Sequence, residues 1–221
     1  MKKFVCLIVV GILLSGCGSS KAVPDWTNAS FNQLDNYKKN YLNGRDSIAE
    51  VYFNRAVDEI KRSGDLEILA RAYLTKYAVQ IAVLEAFDDR EFLRIDAVAP
   101  DSQNKVFYNF LKGSFDKVDE GLLPPKYADF FKVYRKGNIE DIANEVSSMD
   151  DPLSKLITIG LLVQKNKYNE KVLQLAINTA SYTGWKKALL VYMERLKSFY
   201  EMIKEPEKAA NMAQRINILK N

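Results

Sequence analysis

The stretch LEILARAYLTKYAVQIAVL, Leu66 to Leu84, decides the fold. Leu66, Leu69, Ala70, Tyr73, Leu74, Tyr77, Ala78, Ile81 and Leu84 recur at intervals of three and four over about five turns, the period of an α-helix that buries one face. Glu67, Arg71, Lys76 and Glu85 fall off that stripe. Charges so placed argue for a core helix and against a membrane span. Ser63-Gly64-Asp65 precedes the stretch, with a glycine to end one helix and an aspartate to cap the next.

The same period extends outward in both directions. Upstream, Leu34, Tyr37, Tyr41 and Leu42 make one stripe. Ile48, Ala49, Tyr52, Phe53, Ala56 and Ile60 make another, with Asn43-Gly44 as the turn between them. Downstream, Asp88 to about Lys126 is weakly patterned. Pro100-Asp101-Ser102 opens a short helix there, through Phe107, Phe110 and Leu111. Gly121 to Pro125 reads as a loop with two consecutive prolines, which could mark a boundary between two helical lobes near 119–126. Helix resumes at Tyr127, with Phe130, Phe131 and Tyr134 inward, and stops at Lys136-Gly137-Asn138. Asp151-Pro152 is a helix start, and the apolar run Leu153 to Val163 behind it belongs in the core. Tyr168 to Ser181 is the next helix, with Gly184 as its cap. Trp185, Ala188, Leu189, Tyr192, Leu196, Phe199, Tyr200 and Ile203 form a stripe, and Pro206 opens a last helix through Ala210, Ala213, Ile216 and Leu219. No run alternates with period two, so the fold class is all-α, built from antiparallel helix pairs over 26–221.

The first residues are of another kind. Met1-Lys2-Lys3 is basic, and Phe4 to Leu14 is an apolar run too short to cross a ~30 Å hydrocarbon core as a helix. Leu14-Ser15-Gly16-Cys17 follows. This resembles the lipobox of bacterial lipoproteins: a branched apolar residue, two small residues and the cysteine whose thiol takes the lipid. The resemblance implies a signal peptide over 1–16, lipidation of Cys17, and a short tether over 17–25 that keeps the body near a membrane. Of the two cysteines, Cys6 leaves with the signal, so the mature monomer has no disulfide and needs a packed core. The net charge of +4 falls to about +2 without Lys2 and Lys3, and the charges are mixed along the chain. Nothing there is the footprint of a nucleic-acid partner.

A repeat register starts at Ser30. It places Gly44 at the turn, then Ala49, Phe53 and Ala56 at small, large aromatic and small positions of a second helix. Trp185, Ala188, Leu189 and Tyr192 repeat part of the spacing, with Ala209, Ala213 and Ile216 following after a longer first helix. In this respect about a third of the chain resembles tetratricopeptide lipoproteins of the bacterial envelope. The resemblance implies tetratricopeptide-like right-handed stacking of helix pairs and a partner groove on the first helix, at Phe31, Leu34, Lys38 and Tyr41. Most of the 12 tyrosines and 11 phenylalanines are expected to fill helix seams.

Chemistry is scarce. The chain has no histidine, which removes Ser-His-Asp and Cys-His catalysis and histidine metal sites. It has no glycine-rich phosphate loop and no nucleophile elbow. Asp88-Asp89-Glu91, Asp116-Asp119-Glu120 and Asp150-Asp151 are acidic clusters without calcium-loop spacing, expected to be caps and turns. Glu140, Glu145 and Glu170 are the carboxylates a glycan hydrolase could use, though nothing singles them out. No catalytic residue, metal or cofactor is expected beyond the lipid on Cys17. The expected function is a docking or assembly scaffold, anchored to a membrane by its lipid and holding another envelope protein or peptide. Gly18 after the lipidated cysteine favours the outer membrane, periplasmic face, in a Gram-negative host. The rival expectations are a cell-wall enzyme with two carboxylates in a deep cleft, one of raised pKa, and a small-ligand carrier with an apolar pocket near Pro124-Pro125.

Overall fold

The computed structural model describes residues 24–220; the signal segment, the lipobox and Cys17 lie outside the described residues. Within them the chain is all-α. The helices are α1 (Asp25–Leu42), α2 (Asp46–Ser63), α3 (Leu66–Ala82), α4 (Arg90–Asp96), α5 (Ser102–Leu111), α6 (Pro125–Lys136), α7 (Ile139–Ser148), α8 (Pro152–Gln164), α9 (Glu170–Thr183), α10 (Lys186–Met202) and α11 (Pro206–Lys220). Two 3-10 turns, Phe115–Lys117 and Glu120–Leu122, lie between α5 and α6. No described helix is long and apolar enough to cross a membrane.

The boundaries follow from local chemistry. The Asp65, Asp101, Asn138, Asp151 and Asn169 side chains accept backbone N–H groups at the starts of α3, α5, α7, α8 and α9, donors that a helix cannot satisfy itself. Gly64, Gly137 and Gly184 end α2, α6 and α9 in the left-handed conformation. Two helices come from segments without a strong sequence signal: α4 in the weakly patterned middle, and α7, whose Ile142, Ala143 and Val146 are buried at helical spacing.

Packing gives one continuous core from Leu34 to Ile216. Consecutive helices pair as hairpins, α1 with α2, α6 with α7, α8 with α9 and α10 with α11. Two contacts join distant parts of the chain: α3 packs on α8, and α1 reaches α10. A strictly one-dimensional stack touches only its neighbours; this chain folds back across itself.

That closure explains why α3 is buried on more than the predicted face. Ala72, Val79, Ala82 and Val83 are buried beside the stripe, because α5 and α8 cover the side that α1 and α2 leave free. At its ends the stripe is less buried than its spacing suggests: Leu66 is exposed and Leu84 half-buried. Gly160 sits where α8 crosses α3. A Cβ built there falls 2.3 Å from the Ile81 carbonyl oxygen, so the two backbones meet with no room for a side chain. The segment near 119–126 joins its flanks. Phe107 and Phe110 on α5 pack against Tyr127 on α6 at 5.5 and 5.1 Å, and Phe115 lies 5.6 Å from Phe131. Two finer expectations are corrected. Ile48 is exposed, and on α11 the buried residues are Ala209, Met212 and Ile216, while Ala210, Ala213 and Leu219 face solvent.

Candidate functional site

The four residues expected to line a partner groove on α1 do not form one open surface. Leu34 and Tyr41 belong to the core. Phe31 is half exposed, and Lys38 pairs with Asp35 on its own helix at 2.6 Å. Tyr41 is covered from a distance in sequence. Its hydroxyl donates to Glu85, and the Lys187 ammonium stands 3.9 Å from its ring centroid. Lys187 also reaches Glu85 at 2.9 Å and Asp46 at 3.1 Å. Burial and the Glu85 carboxylate push the Tyr41 phenol above its ordinary range, so it remains a donor. These residues tie α1, α2 and the end of α3 to α10; they build a junction, and the open space on the surface lies elsewhere.

One such place is an open groove of about 630 Å³ between α9 and α10. Its floor is Leu175, Phe199 and Ile203. Its rim is Asn169, Glu170, Lys171, Gln174 and Asn178. Helical spacing puts Lys171, Gln174, Leu175 and Asn178 on one face of α9. The Gln174 amide donates to Asn178 at 2.9 Å, and Glu170 accepts the Tyr200 hydroxyl at 2.8 Å. The rim therefore carries amide groups and one charge of each sign.

A second space, about 520 Å³, lies between α3, α5 and the segment Gly121 to Pro125. Leu74, Phe107, Leu122, Leu123, Pro124 and Pro125 form its apolar side; Arg71, Thr75, Gln103 and Asn104 form the other. It stands at the prolines where the sequence suggests an apolar pocket.

Several of the carboxylates hold local structure. Asp151 caps α8 and also accepts the Ser154 hydroxyl and Lys126. Asp119 accepts the Gly121 N–H. Asp89 accepts Lys112 and Tyr108, at 2.9 and 2.8 Å. The hydrogen-bonded Lys112 holds the Asp89 carboxyl below its usual range, and the Arg90 guanidinium holds Asp88 at about 2. Lowered carboxyls of this kind are poor general acids. Glu140 accepts Asn169 and pairs with Lys171, and Glu170 pairs with Lys208. Ser154 is buried, with its hydroxyl held by Asp151 and Tyr127. Among the described residues there is no cluster of His, Cys, Asp and Glu suited to a metal.

No protein-family model, no curated protein and no solved structure matches this chain.

Proposed function

We propose that the chain is a membrane-anchored docking scaffold. Cys17 carries the lipid, and the α9–α10 groove receives a segment of another envelope protein. The observation that supports this reading is the groove: an open floor of Leu175, Phe199 and Ile203 rimmed by Asn169, Gln174 and Asn178. Apolar anchors surrounded by polar groups suit a peptide, whose side chains fill the floor while its main-chain amides meet the rim. The Glu170 and Lys171 charges offset each other, so a neutral, extended segment with one or two large apolar side chains fits better than a nucleotide. Packing of α9 on α8 and of α10 on α11 supports the two walls of that groove.

The test is crosslinking in intact cells, with mass spectrometry of what co-purifies, for the wild type, Cys17→Ser and Ile203→Glu. Ile203 is 43% exposed, so a carboxylate there alters the groove and spares the core. One stoichiometric envelope partner, reduced at least tenfold by either substitution, supports the scaffold. Equal recovery of that partner with Ile203→Glu moves its site off the groove. Recovery of cell-wall fragments alone overturns the scaffold in favour of an enzyme.

A further inference from the structure

We propose that the space between α3, α5 and Gly121–Pro125 is a binding site for a small carboxylate amphiphile, with its apolar body against Phe107 and Leu122–Pro125 and its carboxylate on Arg71. The volume of about 520 Å³ lies within the range of small-molecule sites. The walls divide by chemistry. Leu74 and Leu123 are buried, Phe107 and Leu122 half-buried, and Pro124 holds the backbone extended at φ −54, ψ 134 beside them. That side is apolar and stiff, and it offers no donor to a polar head.

The opposite side has four polar residues, two of them held by main-chain carbonyls. Thr75 Oγ1 donates to the Arg71 carbonyl at 2.9 Å, and Asn104 Nδ2 donates to the Glu67 carbonyl at 3.2 Å. Arg71 and Gln103 remain at the exposed mouth. The Arg71 guanidinium meets Glu67 through Nη2 in an ion pair one turn apart on α3, with both side chains about half exposed. An exposed pair of this spacing is weak. The planar fork exchanges that partner for a ligand carboxylate at little cost and can hold it by two parallel hydrogen bonds. A single cation at the mouth suits a monoanion, and a polyphosphate would find no second one among the lining residues. A free acid with about ten carbons has the matching shape: one charged end, then an apolar body.

The test uses the full lipidated chain in vesicles of neutral phospholipid, with photoaffinity probes located by peptide mass spectrometry. The probes are decanoic acid and decanol, each carrying a diazirine near the chain end. The acid is expected to label the peptides containing Phe107 and Leu122–Pro125, and unlabelled decanoate competes the label away. Arg71→Gln is expected to reduce labelling by the acid at least fivefold and leave labelling by the alcohol unchanged. Gln103→Trp, at the exposed mouth, is expected to abolish both while the helical circular dichroism stays the same. Label spread evenly over the chain, or equal labelling of wild type and Arg71→Gln by the acid, overturns the proposal. So does equal labelling of the same peptides by a diazirine-bearing phospholipid, whose esterified chain has no carboxylate.

Discussion

Gly160→Ala tests the α3–α8 crossing on which the closure of the fold depends. The added Cβ would stand 2.3 Å from the Ile81 carbonyl oxygen, 2.8 Å from Ile81 Cγ2 and 3.0 Å from the Ile81 carbonyl carbon. Ordinary contact needs about 1 Å more than the shortest of these. The obstacle is backbone inside a helix, so no rotamer change removes it, and α8 must move off α3. Overfilling a packed core costs about 1–3 kcal/mol. A gap of up to an ångström along the seam also forfeits a quarter to a half of the dispersion energy of its contacts. Alanine's better helix propensity offsets about 1 kcal/mol. The upper end of the cost applies, because α3 is buried on nearly every side, and the net expectation is about 2 kcal/mol of destabilisation. For a domain of this size that is roughly 4–8 °C in Tm, read by circular dichroism at 222 nm and by the urea midpoint. Ile81→Ala removes Cγ2 and leaves the carbonyl in place, so it should not rescue Gly160→Ala. A Tm equal to or above wild type, or full rescue by Ile81→Ala, would refute the reading of the crossing.

Two buried tyrosines should respond to loss of their hydroxyls with opposite signs. Tyr192 donates to the Leu156 carbonyl at 3.1 Å, and Tyr192→Phe is expected to cost about 1 kcal/mol. The Tyr37 hydroxyl is buried without a partner among the described residues, and Tyr37→Phe is expected to stabilise by up to about 1 kcal/mol; urea titration of both variants decides. Lys187→Met removes the one cation shared by Glu85 and Asp46, at a side chain only 14% exposed. It should cost about 1–2 kcal/mol, discounted for the partly exposed carboxylates. Adding Glu85→Leu should recover part of the loss in a double-mutant cycle. Stability should fall in acid. Burial raises the Asp151 pKa, but the Ser154 hydroxyl and Lys126 outweigh it, and the net shift is down. Asp89 and Glu194 are lowered too, chiefly by Lys112 and Lys220. A depressed folded pKa contributes stability that is complete above the unfolded value of about 4 and lost as pH falls through the folded one. The urea midpoint should therefore drop between pH 5 and pH 2.5, less steeply in Asp151→Asn, which keeps a capping oxygen.

Short-range features of the fold were legible in the residues. Gly64-Asp65, Asp101, Asp151-Pro152 and Gly184 each act within a turn of chain, so their spacing announces the helix ends the structure has. Ala49, Phe53 and Ala56 are buried, as their place on the helical stripe of α2 implies. What depends on distant helices was not legible. Tyr41 looks like a groove residue on α1 until α10 arrives with Lys187. Gly160 lies inside an apolar run, and only α3 laid across it gives its missing side chain a purpose. On α11 a stripe of Ala210, Ala213, Ile216 and Leu219 fits the helical period as well as the observed one does, and only packing against α10 puts Ala209 and Met212 inside with Ile216. The α9–α10 groove had one sequence-level clue, the i, i+3, i+4 and i+7 spacing of Lys171, Gln174, Leu175 and Asn178. Polar residues on a helix usually mark a solvated face, so that clue pointed nowhere in particular.

The contact between Lys187 and Asp46 spans 141 positions of chain. Closing a loop that long costs about 1.7 kcal/mol more than closing one of 20 residues. The hairpins of neighbouring helices close short loops and form early, while this junction waits for almost the whole polypeptide. Until α10 joins the amino-terminal helices, Tyr41 lacks its cover. Loop closure alone ranks these contacts by entropic cost: local pairs least, the crossing of α3 and α8 next, and the union of the two ends most. A chain truncated before α10 should linger as an incompletely folded species with its first hairpin open to proteases, however well that hairpin is formed.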